Sequence, residues 1–204
     1  MAHPKPQLTD GNALADVALM ARLACGDPQA LDPLYRRHKG RVYRFALLWS
    51  GSSATAADVT QDVFVHLLQR AGDYDAVRGA LSPWLLGIAR NFVRRRTLAS
   101  HEVAMETDDD MPLPGAVETF TPDAALVRQQ EVEKLRRGIA ALPPHYRDVL
   151  VLVELSERSY AEVAAICGCE LNTVRSRLFR ARGLLARWLA LDAGGADALS
   201  AANA

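Results

Sequence analysis

Apolar side chains recur every three to four residues in block after block of this chain, and glycine, proline and polar runs separate the blocks. That period is one face of an α-helix. A first helix is expected from about Ala13 to Cys25, stopped by Gly26-Asp27-Pro28. A second, from about Pro28 to Trp49, sets Leu31, Leu34, Tyr35, Val42, Phe45 and Leu48 on one stripe before Gly51-Ser52-Ser53 breaks it. A third, from about Ala56 to Arg70, repeats Val59, Val63 and Leu67 with Phe64 beside them. After the loop Ala71 to Asp75, Ser82-Pro83-Trp84 opens another helix, serine as the cap and proline in the first turn. That helix is expected to bury Trp84, Leu85, Ile88 and Phe92, and its arginines gather near the C-terminal end, where the helix dipole favours cations.

The pattern then lapses. From His101 to Phe120 the chain is acidic, holds Pro112, Pro114 and Gly115, and has no helical period, which predicts a linker. Helix resumes after Thr121-Pro122-Asp123 with Val132, Leu135, Ile139 and Leu142 as its stripe. Pro143-Pro144 punctuates, another helix runs to about Leu155, and two short helices flank Gly168. Both ends of the chain read as frayed tails. The expected fold is all-α: a helical domain over 13–98, a flexible acidic linker over 99–121, and a second helical domain over 122–191.

Composition narrows the class. No apolar stretch approaches the roughly 20 residues of a membrane span, and Met1 to Asn12 lacks a secretory pattern. Cys25, Cys167 and Cys169 are an odd set, the latter two too close for an easy disulfide, so a reducing cytoplasm is expected. The formal net charge of the 204 residues is zero, but the charges are not mixed. Residues 34–96 hold eleven Lys/Arg against four Asp/Glu, 97–127 hold seven acids and no base, and 171–191 hold five arginines and no acid. Two basic blocks around an acidic connector are the footprint of polyanion binding.

The most specific segment runs from Ser159 to Leu189. Ser159 and Glu162 are spaced as a capping box. Ala164, Gly168 and Val174 stand at the offsets of a helix-turn-helix, and the inner stripe continues through Leu178, Ala181, Leu185 and Trp188. The second helix then presents Asn172, Thr173, Arg175, Ser176, Arg177 and Arg180, residue types that meet base edges and phosphates in a major groove. Other chemistry is poorly supported. Asp58, Asp62 and His66 share a helix face as metal ligands can, but no matching set stands on a second helix. Cys167 and Cys169 lack the further pair that zinc needs. No cofactor motif is present, and no catalysis is expected.

LPPHYRDVLVLVEL, SYAEVAAI and NTVRSRLFRAR together resemble the C-terminal promoter-binding domain of bacterial sigma factors, more narrowly of the extracytoplasmic-function (ECF) group. LYRRHKGRVYRFAL, ADVTQDVFVHLL and RGALSPWLLGIARNFVRRR resemble that group's N-terminal domain in the same order. The resemblance covers about residues 31–189 and implies a factor that binds core RNA polymerase, directs it to promoter DNA and helps open the duplex. It implies docking through Asp58, Gln61 and Asp62. It implies capture of flipped bases of the downstream box by the loop from Asp73 to Gly79, with Tyr74 and Arg78, and by Asn91. Arg90, Arg94, Arg95 and Arg96 would hold phosphates. Trp84 is a candidate for stacking, but its place at the start of an amphipathic helix favours the core. The upstream box would fall to Asn172 through Arg180, where Asn172 replaces the group's frequent glycine. A cognate anti-sigma protein is implied by the resemblance alone. The competing reading is a stand-alone helix-turn-helix regulator that binds duplex without polymerase.

Overall fold

A computed structural model describes residues 10–106 and 124–201, with side chains over 13–97 and 129–190. All regular structure among the described residues is helical. The first unit comprises α1 (Asp10–Ala24), α2 (Leu31–Ser50), α3 (Ser53–Gln69) and α4 (Leu81–Glu106). The second comprises α5 (Ala124–Ala141), α6 (Pro144–Leu150), α7 (Tyr160–Cys167) and α8 (Leu171–Ala201), with a π-helical turn at Val151–Leu155 continuing α6. Of the predicted acidic linker, residues 107–123 lie outside the described residues, as do the extreme ends of the chain.

The first core forms where α2, α3 and α4 meet. Val42, Phe45 and Trp49 face Val59, Val63 and Leu67, with Leu85, Leu86 and Val93 closing the third side, all fully buried. Each such side chain contributes roughly 1.5–3 kcal/mol of transfer free energy. Gly51 turns the chain out of α2 at φ 72°, and Ser52 caps α3 by accepting the Thr55 amide at 3.2 Å. The N-terminal helix is fixed by a buried charge: Asp16 on α1 accepts from His38 Nε2 at 2.9 Å and from Arg37.

In the second unit Ile139, Leu142, Val149, Leu152, Val163, Val174, Leu178 and Ala181 make the core. Arg147 draws the α5–α6 corner together by donating to the Leu142 carbonyl at 2.9 Å and to that of Ala140. The capping box at α7 is complete: Ser159 Oγ accepts the Glu162 amide at 3.3 Å, and Glu162 Oε2 accepts the Ser159 amide at 2.8 Å. Gly168 ends α7 at φ 62°, the left-handed turn that a helix-turn-helix needs.

Several expectations are corrected. Ser82 lies inside α4, which starts at Leu81, and its hydroxyl is buried with no hydrogen-bond partner, so it is not the cap. Val132 and Leu135 are 47% and 37% exposed; among the α5 residues with described side-chain burial only Gly138 and Ile139 are buried, with Leu142 just beyond the helix end. The core face of α4 is Leu85, Leu86, Ala89 and Val93, whereas Trp84, Ile88 and Phe92 are half-buried beside it. The second helix of the helix-turn-helix is long, 31 residues rather than a short element, and α4 continues to Glu106. The two units also touch: α7 packs on α4, and the end of α2 packs against α5 and the π-turn.

Candidate nucleic-acid interface

The loop between α3 and α4 folds back on itself. Tyr74 Oη donates to the Gly79 carbonyl at 3.1 Å, and Asp75 Oδ1 accepts the Val77 amide at 2.9 Å. Tyr74 is thereby set 5.5 Å from Trp84, ring to ring, at a tilt of 57°. These rings, Arg78 and the first turns of α4 border a cleft of about 500 Å³ that also takes in Arg90 and Asn91. Tyr74, Arg78, Arg90 and Asn91, picked out by residue type in separate stretches, therefore share one wall system. Trp84 joins them: its ring lines the cleft instead of sitting wholly in the core. Aromatic faces beside an exposed amide and cations are what an unstacked base requires.

The arginines of α4 do not act alike. Arg95 is exposed. Arg90 donates through Nε to Asp148 on α6 at 2.5 Å, and Arg94 lies 3.6 Å from the same carboxylate. Arg96 points to the other side of the helix, donating to Asp62 at 2.7 Å and to Asp58 at 2.9 Å. These carboxylates hold its guanidinium above its usual range. Arg96 thus bridges α4 and α3. On α3, Asp58 and Gln61 are exposed and Asp62 is partly so, on the face opposite Val59, Val63 and Leu67.

At the other end, α8 presents Asn172, Arg175, Ser176 and Arg180 exposed, with Thr173 and Arg177 partly so. Arg175 donates to Asn172 Oδ1 at 3.2 Å, so the asparagine orients the arginine in the unbound protein. The cysteines are free thiols, and burial pushes the Cys167 thiol up to about 11, leaving it protonated and unreactive at neutral pH. The metal reading of Asp58, Asp62 and His66 fails on geometry. Both carboxylates engage Arg96, His66 packs edge-on against Phe92 at 5.9 Å, and no three ligating side chains gather among the described residues.

Sequence reasoning missed Trp49, Arg147 and Asp148. Trp49 extends the stripe of Val42 and Phe45 and was legible as core, but its indole N–H donates to Asp148 Oδ1 at 2.8 Å, across 99 positions of chain. Asp148 stands just before the apolar run Val149 to Val153 and is 1% exposed. A buried carboxylate signals an unseen partner, but no local spacing names it.

Two basic surfaces on two helical units, one with an aromatic-lined cleft and one with a helix-turn-helix, define a promoter-recognising transcription factor. Residues 34–99 match the sigma-70 region 2 family and residues 133–185 match sigma-70, region 4. The ECF RNA polymerase sigma factor SigM of Mycobacterium tuberculosis is 35% identical over 179 residues, 86% of this chain and 85% of that protein. The corresponding SigE of Mycolicibacterium smegmatis is 34% identical over 174 residues, 82% of this chain but only 65% of that longer protein. Among solved structures, CnrH in complex with the cytosolic domain of CnrY superposes with a TM-score of 0.63 at 26% identity, covering 87% of this chain and 99% of CnrH. The chain belongs to the ECF sigma factors of bacterial RNA polymerase, with α2–α4 as region 2 and α5–α8 as region 4.

Proposed function

We propose that this sigma factor divides promoter recognition between its two basic surfaces, over the domains 13–98 and 122–191. Region 4 reads the upstream box as duplex, with Asn172, Thr173, Arg175, Ser176, Arg177 and Arg180 entering the major groove. Region 2 captures unstacked bases of the downstream box in the cleft, with Tyr74 and Trp84 for stacking, Asn91 for edge contacts, and Arg78, Arg90, Arg94 and Arg95 for phosphates. The observation that carries this reading is the convergence of Tyr74, Trp84, Arg78 and Asn91 on one cleft of about 500 Å³. The chain supplies no catalysis, since the polymerase forms the phosphodiester bonds, and it works in the cytoplasm, where chromosome and polymerase are. No helix among the described residues is long and apolar enough to cross a membrane. A cognate anti-sigma protein fits the family and would act by covering one or both surfaces.

Docking on core polymerase falls to the exposed face of α3 carrying Asp58, Gln61 and Asp62. Arg96 provides the discriminating control, because it bonds both aspartates and ties them to α4. The double variant Asp58→Asn/Asp62→Asn should weaken binding of purified core polymerase about tenfold or more, on the scale of lost charge-assisted contacts. Arg96→Ala should leave that affinity nearly unchanged. Equal losses in both would mean that the aspartates serve only to tie α3 to α4.

A further inference from the structure

Asp148 sits on α6 of region 4, yet two of its three cationic or N–H partners are the very arginines of region 2 assigned to promoter phosphates. It accepts from Arg90 Nε at 2.5 Å and from the Trp49 indole at 2.8 Å, with Arg94 at 3.6 Å. The carboxylate is 1% exposed, and the Arg90 side chain retains only 14% of its exposure. Beside it, the Arg147 guanidinium lies over the Trp49 ring at 4.3 Å and donates to the Trp49 carbonyl at 3.4 Å. The same packing brings Ala165, Ile166, Cys167 and Gly168, the turn of the helix-turn-helix, to the rim of the cleft that holds Tyr74 and Asn91.

We propose that this contact is an autoinhibitory latch in which Asp148 occupies the place of a promoter phosphate. A carboxylate held by Arg90 and Arg94 presents anionic oxygens to the same guanidinium donors that a phosphate would use. Single-stranded promoter DNA and Asp148 are therefore mutually exclusive ligands of region 2. The latch also suits reversal. A buried ion pair gives back in Coulomb attraction little more than its desolvation costs, so closure is held weakly by the charges themselves. On opening, Asp148 regains water and the arginines become free. The latch rests on the assignment of Arg90, Arg94 and the cleft to the downstream box.

The apparent affinity of a closed protein falls in proportion to its open fraction. The test uses the full chain without polymerase, read in two ways. Small-angle scattering reports the separation of the two regions, and fluorescence anisotropy reports binding of a labelled single strand carrying the downstream box of a promoter it transcribes. Asp148→Asn keeps an acceptor for Trp49 but removes the charge on Arg90 and Arg94. It should raise the radius of gyration and tighten single-strand binding about tenfold, as expected when a minor open state becomes dominant. Trp49→Phe, which removes the indole donor, should shift both readouts in the same direction and decides the matter if Asp148→Asn loses helix by circular dichroism. Folded variants that stay as compact as the wild type, with unchanged single-strand affinity, overturn the latch. Scattering needs neither promoter nor polymerase. Unchanged compaction thus sinks the latch even in a protein that transcribes, whereas failure to transcribe counts against the functional reading and leaves the scattering result standing.

Discussion

His38 is a buried histidine with one ring nitrogen satisfied and one not. Nε2 meets Asp16 at 2.9 Å, while Nδ1 has no hydrogen-bond partner, and the residue is 2% exposed. Burial lowers its pKa below the ordinary 6.5, opposed by Asp16 and assisted by the nearby Arg41 and Arg37. Burial prevails because Arg37 also bonds Asp16 and so shares its negative charge. The unfolded chain then takes up a proton more readily than the folded one. Stability is complete above the unfolded value and declines as pH falls below about 6.5 through the lowered folded value. The melting temperature should drop between about pH 7.5 and about pH 5.5, and His38→Gln should flatten that slope whatever it does to the absolute value. An equal slope in the variant would place the acid sensitivity elsewhere. Nothing in the sequence marked this pair: Asp16 and His38 are 22 positions apart, and each reads locally as an ordinary polar residue.

At the scale of elements, legibility followed locality. The Ser159/Glu162 box, the left-handed Gly168 and the Val174, Leu178, Ala181 stripe depend on neighbours within a few turns, and all were readable in advance. Ser82 failed as a cap because α4 begins at Leu81, two residues before the Pro83 start that such a cap requires, a shift that local preference does not fix. The exposure of Val132 and Leu135 was unreadable for a different reason, since it depends on how far α8 and α2 extend along α5. Gly138 belongs to the same tertiary class. A Cβ there would stand 2.8 Å from both Leu185 Cδ1 and Trp188 Cε3, so the glycine allows α8 to lie close on α5. Gly138→Ala should destabilise region 4 by about 1–3 kcal/mol, the usual cost of overpacking, despite alanine's better helix propensity. Chemical denaturation of the full chain checks this, and a stabilised variant would show that Leu185 and Trp188 withdraw freely.

For the whole molecule, a net charge of zero concealed the central feature. The basic blocks of regions 2 and 4 were legible from charge order, and the resemblance to ECF sigma factors singled out Tyr74, Arg78 and Asn91, which the fold brings to one cleft, and the α8 residues, which it leaves accessible. What the chain order could not show is that region 4 packs against region 2, so that Arg90 and Arg94 meet Asp148. Nor could it show that Arg96 turns away to Asp58 and Asp62. Such contacts are set by tertiary approach between segments separated by dozens of residues, and pattern analysis is blind to them.

The proposed role of this chain is to confer promoter recognition on RNA polymerase, with the Tyr74–Asn91 cleft holding the downstream box. Reconstituted transcription from a pool of genomic promoter fragments tests it most directly, using core polymerase with and without the protein. Specific transcripts are expected only when the protein is present. They should be lost in Tyr74→Ala/Asn91→Ala under conditions where that variant still binds core polymerase. Transcripts that survive this double substitution would contradict the assignment of the cleft. An absence of transcripts from the wild type, with salt-sensitive binding to intact duplex by the protein alone, would contradict the role itself.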